Sequence, residues 1–305
     1  MLKEYPQKDT IISNISNVKI TEKNENDLSD KNEISSLIIV EPSKFIASLD
    51  LRGIWEYREL LYFLSLRDIK IRYKQTLLGI GWVLLQPIII TIIFTTVFQS
   101  LGTNQNLAVP YPLFAFSGFM LWSFMSSAIM NCSGSLINHT TLITKVYFPR
   151  LVIPISAVGA TLIDLVFGLV SLFIAMLIYG VAPSWRMLLI ILPIIPTLFL
   201  SLGIGIFTAA LNVRFRDVKY ILPLFIQILF FISPIFYSLS MLSENSIWIW
   251  KLNPVAGILE NFRALLFGLP FDWLSFIIAT LMSIAIFILS IFVFHRMEDD
   301  FADII

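Results

Sequence analysis

The chain has 305 residues, 57% of them hydrophobic and 14% charged, and its formal net charge is zero. Soluble domains carry about 25% charged residues, so the composition excludes an ordinary soluble domain and points to an all-α membrane protein, for which no nucleic-acid partner is expected; the zero net charge itself says nothing about a partner. The one cysteine, Cys132, excludes a disulfide within the chain and leaves the redox compartment unread.

No apolar core lies near residue 1, so no cleavable signal peptide is expected. Residues 1–44 are rich in Asn, Ser, Lys, Glu and Asp and read as a flexible cytoplasmic tail. Residues 45–76 read as a helix. On a wheel of ~100° per residue, Arg52, Glu56, Glu59, Arg67, Lys70 and Lys74 share a narrow arc. Ile54, Trp55, Tyr57, Leu61, Tyr62, Leu64, Leu66, Ile69, Ile71 and Tyr73 fill most of the remainder, interrupted by Arg58, Asp68 and Arg72. Such a helix is expected to lie flat in a membrane interface, on the cytoplasmic side because of its Lys and Arg content.

Residues 77–296 read as six transmembrane helices, at about 77–101, 113–136, 151–179, 187–211, 220–242 and 273–294. Pro87 kinks the first. The second is aromatic at its start and small and polar later, and Asn138 to Arg150 follows as an inner loop carrying Lys145 and Arg150. In the third, Ser156, Ala160, Asp164 and Gly168 recur every four residues, a spacing that lets helices approach closely and turns Asp164 into the bundle near mid-span. Ser201, Gly205 and Ala209 repeat the pattern in the fourth, and Asn212 to Lys219 forms a second basic inner loop. Pro223 and Pro234 interrupt the fifth.

Before the last span, Asn253 is an N-cap, Pro254 suits the first helical position, and Gly268 with Pro270 makes a stop. The enclosed helix is too short to cross and reads as an outer interfacial or re-entrant helix, with Glu260 and Arg263 opposite its apolar face. Residues 297–305 form a cytoplasmic tail, and Glu298 to Asp300 read as solvated. Counted after residue 51, Lys and Arg divide twelve inside to three outside, the three being Arg186, Lys251 and Arg263. Both termini are therefore expected in the cytoplasm.

No Gly-x-x-x-x-Gly-Lys-Ser/Thr stretch occurs, so ATP hydrolysis by a P-loop is excluded. His139 and His295 stand far apart and no Cys-x-x-Cys exists, so neither a metal site nor a catalytic group is expected. Asp164 is an intramembrane carboxylate and marks a functional site by default; helix packing against a nearby Ser or Thr is the plainer alternative. The basic inner residues admit two readings. One is anchoring on anionic lipid. The other is that Arg67, Arg72, Lys74, Arg214 or Arg216 receives an anionic head group such as a pyrophosphate. Glu260 and Arg263 fit either a local ion pair or a gate latch.

Several stretches resemble the polysaccharide-exporting ABC permeases. They are Arg67-Asp-Ile-Lys-Ile-Arg-Tyr-Lys-Gln-Thr-Leu-Leu-Gly-Ile-Gly-Trp82 with Leu85-Gln-Pro87, Lys145 to Arg150, Leu211 to Lys219, Leu252-Asn-Pro254 and Phe301-Ala-Asp-Ile-Ile305. They span residues 50–305 and do not separate O-antigen, capsule and teichoic acid exporters. The resemblance implies a permease in the bacterial inner membrane that forms a homodimer and binds two copies of a separate ATPase, which holds ATP and Mg. The cargo it implies is a lipid-linked polysaccharide. It further implies that Asn138, Leu142, Ile143, Lys145 and Tyr147 meet the ATPase, that aromatic residues line the channel and that the short outer helices close the exit. The chain itself is expected to be no enzyme and to hold no cofactor. Export of a smaller lipid or drug is the alternative, and a polyprenyl-linked glycosyltransferase a remote one.

Overall fold

The computed structural model describes residues 55–74, 81–100, 107–146, 148–238, 250, 252–298 and 301, and the described residues contain helices and no strands. The expected tail at 1–44 and the C-terminal residues 302–305 lie outside them, as do Arg52, Ile54, Tyr147 and Lys251.

Among the described residues nine α-helices follow one another: α1 (Arg58–Lys74), α2 (Gly81–Ser100), α3 (Tyr111–Asn138), α4 (Thr140–Lys145), α5 (Val152–Ile178), α6 (Ile191–Arg214), α7 (Val218–Ile232), α8 (Pro254–Phe267) and α9 (Trp273–Glu298). A 3-10 turn, Trp185–Leu189, leads into α6. Among the described residues five stretches are long and apolar enough to cross a membrane: those of α2, α3, α5, α6 with its 3-10 turn, and α9. The expected fifth span is instead a 15-residue helix, α7. At 1.5 Å per residue it covers roughly 22 Å, short of a ~30 Å hydrocarbon core. It ends where Pro234 denies the ladder an N–H and biases Ser233 to an extended backbone, ψ 143°. Residues 239–249 lie outside the described residues.

The hub is α3. It packs on α2, α5, α6, α7 and α8, and its aromatic first half and small second half are both buried. Ser201, Gly205 and Ala209 of α6 are buried as the four-residue spacing requires. Two polar bonds stitch α6 to its neighbours. Asn212 donates to the Ser133 carbonyl at 3.1 Å, and Ser290 of α9 donates to the Gly203 carbonyl at 2.7 Å. In contrast, α2 and α7 leave most of their apolar residues uncovered, Ile88, Ile92, Leu224 and Phe231 among them.

The local chemistry of α8 is as its sequence requires. The Asn253 side chain accepts from the Val255 N–H at 3.0 Å, Pro254 occupies the first turn, and Gly268 closes the helix in the left-handed region at φ 71°. Gly268→Ala is expected to destabilise the protein by about 1 kcal/mol, because a Cβ disfavours that conformation; the thermal midpoint of the purified protein measures this. The burial of α8 departs from expectation. Nearly every residue from Val255 to Leu266 is buried, so the helix is wedged among α3, α6 and α9 and shows no polar outer face.

The helix α1 also departs from expectation. Only Leu64 is fully buried, while Tyr62, Phe63 and Ile71 are exposed, so its apolar residues are not gathered on one covered face. Its contacts run in register along α5. Ser65 donates to the Ser156 carbonyl at 3.0 Å, and Arg72 reaches Asp164 at 2.5 Å. Advancing by seven residues in α1 and eight in α5, the two helices run side by side in the same direction. A helix held in this way does not lie flat across the end of α5.

Candidate functional site

Three features converge at the basic end of the bundle, where α1, α4 and the α6–α7 turn carry the Lys and Arg residues. The first is a cavity of about 500 Å³ between α1 and α3, lined by Arg67, Asp68, Arg72, Asn131, Asn138 and His139 among others. Arg67 pairs with its neighbour Asp68 at 3.1 Å, and the His139 ring bridges the two helices. Its Nδ1 lies 2.7 Å from the Ser135 carbonyl, which can only accept, and its Nε2 lies 3.7 Å from Asp68. Of the five expected head-group residues, the fold brings Arg67 and Arg72 to this cavity. Lys74 is exposed and does not line it, and neither do Arg214 and Arg216, which are exposed at the α6–α7 turn.

The second feature is the Asp164 carboxylate. Arg72 donates to Oδ2 at 2.5 Å, and the Tyr73 hydroxyl donates to Oδ1. Burial, with Asp164 beside it, pushes the Tyr73 phenol up to about 12, so it remains a donor at physiological pH. The partners are thus an arginine and a tyrosine from 92 and 91 residues away, and not the nearby Ser or Thr of the plainer reading. Asp164, the thirteenth residue of α5, shares a crevice with Trp82 in the first turn of α2 and with Ser123 and Ser127 in the middle of α3.

The third feature is the segment from Asn138 to Arg150. Asn138, Thr141, Thr144, Lys145 and Val146 are exposed, whereas Leu142 is half-buried and Ile143 faces the core at 6% exposure. Ile143 is thus buried within the chain, while Thr141, Thr144 and Val146, which sequence reasoning passed over, are exposed. The C-terminal end of α9 closes onto this segment. The Arg150 guanidinium donates to the Glu298 carbonyl, its N–H donates to Glu298 Oε1 at 3.3 Å, and His295 Nδ1 lies 3.0 Å from Glu298 Oε2. Phe301 is buried, edge-on to Phe294. Glu298 is accordingly part of the packed structure, which corrects its reading as a solvated tail residue.

At the opposite end, Arg263 is 1% exposed and its guanidinium points into the protein. Nη1 donates to the Pro234 carbonyl at 2.9 Å, and Nη2 donates to those of Ile235 at 2.5 Å and Phe114 at 3.2 Å. Glu260 lies 3.6 Å from Nη1, so the two residues form the local ion pair that the sequence allowed. Tyr111 donates to the next carbonyl, Phe236, at 3.0 Å. Three successive carbonyls of the non-helical stretch after α7 are thereby bonded inside protein, as irregular backbone at membrane depth requires. Around this clamp runs a chain of rings. Phe94 stacks on Phe236 at 3.7 Å between centroids, Phe98 lies 5.3 Å from Tyr111, and Phe119 and Trp122 lie 6.3 and 5.5 Å from Phe230.

Among the described residues no group of His, Cys, Asp and Glu is placed to hold a metal. The arrangement offers charged and aromatic binding surfaces on a multi-helix membrane body. Comparison with known proteins agrees. Residues 59–267 match the family model described as ABC-2 type transporter. The chain is 29% identical over 218 residues to the O-antigen export system permease protein RfbA of Myxococcus xanthus, covering 71% of this chain and 83% of that one. Against a protein of the same name from Klebsiella pneumoniae it is 28% identical over 254 residues, covering 81% and 95%. Against the polysialic acid transport protein KpsM of Escherichia coli it is 25% identical over 206 residues, covering 66% and 78%. The match runs from the second residue of α1 to the last residue of α8, so it takes in the Asp164 contact, the Asn138–Arg150 segment and the Arg263 clamp, and the chain belongs to the ABC-2 type transporter family.

Proposed function

We propose that this chain is the transmembrane subunit of an ATP-driven exporter that moves a lipid-linked polysaccharide across a bacterial inner membrane. It works as a homodimer with two copies of a separate ATPase, and both termini are cytoplasmic. The observation that carries the reading is the match of residues 59–267 to the ABC-2 type transporter model, on a chain whose described residues include five helical stretches long and apolar enough to cross a membrane. The export functions named for the related proteins favour the same cargo.

The uncovered apolar faces of α2 and α7 favour a second copy as their cover, with α7 and the residues after it completing a sixth crossing. The cavity at Arg67 and Arg72 is the candidate seat for the anionic head group, and α8 with Glu260 and Arg263 the candidate outer closure. The exposed part of the 138–146 segment is the candidate ATPase contact. Lys145→Glu is expected to lower the amount of ATPase that co-purifies with the permease while the permease itself accumulates normally.

The test of function is deletion of this gene in its host. Surface glycan is expected to disappear, with lipid-linked polymer accumulating inside, and to return when the gene is restored. Unchanged surface glycan in the deletion strain would remove the proposal. Loss of drug or lipid efflux with normal glycan would favour a smaller cargo.

A further inference from the structure

The Trp82 stretch that opens the first span lies beside the Arg72–Asp164 pair and lines a small crevice of about 160 Å³ with both polar and apolar walls. Three helices build it. Its polar groups come from Gln86 of α2, Ser123 and Ser127 of α3 and Asp164 of α5, with Trp82, Val83, Pro87, Met120 and Phe124 supplying apolar walls. Ser127 opens the space by being small, while Gly168 lets the Met120 side chain pack against α5. Trp82 is 55% exposed at the first turn of its helix, so its indole offers a flat apolar wall.

Asp164 has acceptor capacity left over. A carboxylate offers about four lone-pair positions, of which Arg72 and Tyr73 take one each. Its side chain is 14% exposed, and it lines the crevice. Hydrocarbon has no use for an amide, a carboxylate and two hydroxyls in one recess, and polar side chains at membrane depth are kept where they have work. A recess of roughly 150 Å³ holds one six-membered ring. One flat wall with hydroxyl, amide and carboxylate groups facing it matches a pyranose, which has an apolar C–H face and a rim of hydroxyls.

We propose that this crevice is a subsite for a single pyranose ring. Trp82 stacks on the sugar face, and Gln86, Ser123, Ser127 and Asp164 bond to its hydroxyls. Arg72 lines the neighbouring 500 Å³ cavity and bonds to Asp164, so one ion pair borders both the candidate head-group seat and the sugar subsite. The subsite rests on the proposed glycan cargo and adds where on this chain a sugar residue is read.

The test is saturation-transfer NMR on the purified permease–ATPase complex. The probes are N-acetylglucosamine, galactose and mannose, with acyclic sorbitol as control. At least one pyranose is expected to receive saturation and sorbitol none. Trp82→Leu and Ser127→Leu are each expected to weaken that binding roughly tenfold, the effect of losing one good contact. Both substitutions leave the Arg72–Asp164 pair in place, and retention of the ATPase reports that the complex is intact. Equal signals in wild type and both variants, or none in wild type, overturn the subsite. Quenching of Trp82 fluorescence by brominated acyl chains without any sugar signal also overturns it, in favour of a lipid-filled recess. None of these results touches the deletion test of export, so the subsite can fail while the exporter reading stands.

Discussion

Arg72→Ala is expected to impair export more severely than the double replacement of Arg72 and Asp164 by alanine. The single change leaves a carboxylate that is 14% exposed with only Tyr73 to balance it. Breaking a fully buried pair in this way costs about 3–5 kcal/mol, whereas exposed pairs are worth about 0–1 kcal/mol. Arg72 is 30% exposed and water can reach it, so the cost here is roughly 2 kcal/mol. Removing both partners takes away the stranded charge and recovers part of that loss. The Tyr73 hydroxyl then faces a methyl group, so recovery is incomplete. Thermal midpoints of the four proteins in the double-mutant cycle, alongside surface glycan, measure the coupling. Additive effects within about 0.5 kcal/mol would show that the pair does not tie α1 to α5.

How much of this was legible in advance depends on the range over which each feature is determined. The α8 boundaries are local, because Asn253, Pro254 and Gly268 carry cap chemistry in their own backbone preferences. The apolar runs gave the five long helices, since composition and length alone decide them. The expected fifth span is matched only in part by a described helix: hydropathy is continuous through Tyr220–Leu242, whereas α7 stops at Ile232, before Ser233 and Pro234. Proline was the available signal, yet Pro87, Pro196 and Pro223 all sit inside helices, so proline alone could not rank the break.

Residues whose partners are far away in sequence were not legible. The spacing placed Asp164 on a buried stripe, but it could not reveal that Arg72 and Tyr73 rise alongside α5 to meet it. Periodicity put Arg263 on a polar face, because a charged side chain three residues from a glutamate looks solvated. Its burial follows from carbonyls at 114, 234 and 235 that only the fold brings together. The same holds for Glu298, whose partner Arg150 is 148 residues away.

The largest effect on folding is expected at Arg263. Methionine there keeps most of the stem volume but withdraws three hydrogen bonds from buried carbonyls and leaves Glu260 without its neighbouring cation. Each stranded polar group costs about 1–3 kcal/mol, and relaxation or an entering water recovers part, so a net loss of roughly 4 kcal/mol is expected for Arg263→Met. Lysine keeps the charge, but its compact ammonium lacks the planar fork that reaches carbonyls on two elements at once, so Arg263→Lys should fall between wild type and Met. Glu260→Gln should be milder than either, because it leaves every carbonyl bond in place. A separate variant tests the geometry without altering charge. A Cβ on Gly118 would lie 2.6 Å from the Ile235 carbonyl and collide with the guanidinium itself. Neither can retreat while the clamp is made, so Gly118→Ala should reproduce the Arg263→Met defect, and combining the two should add little. Folded yield and thermal midpoint of the purified protein read all four. If Gly118→Ala matched wild type while Arg263→Met unfolded, the burial of charge would matter at this end of the bundle and the capture of the 234–235 carbonyls would not.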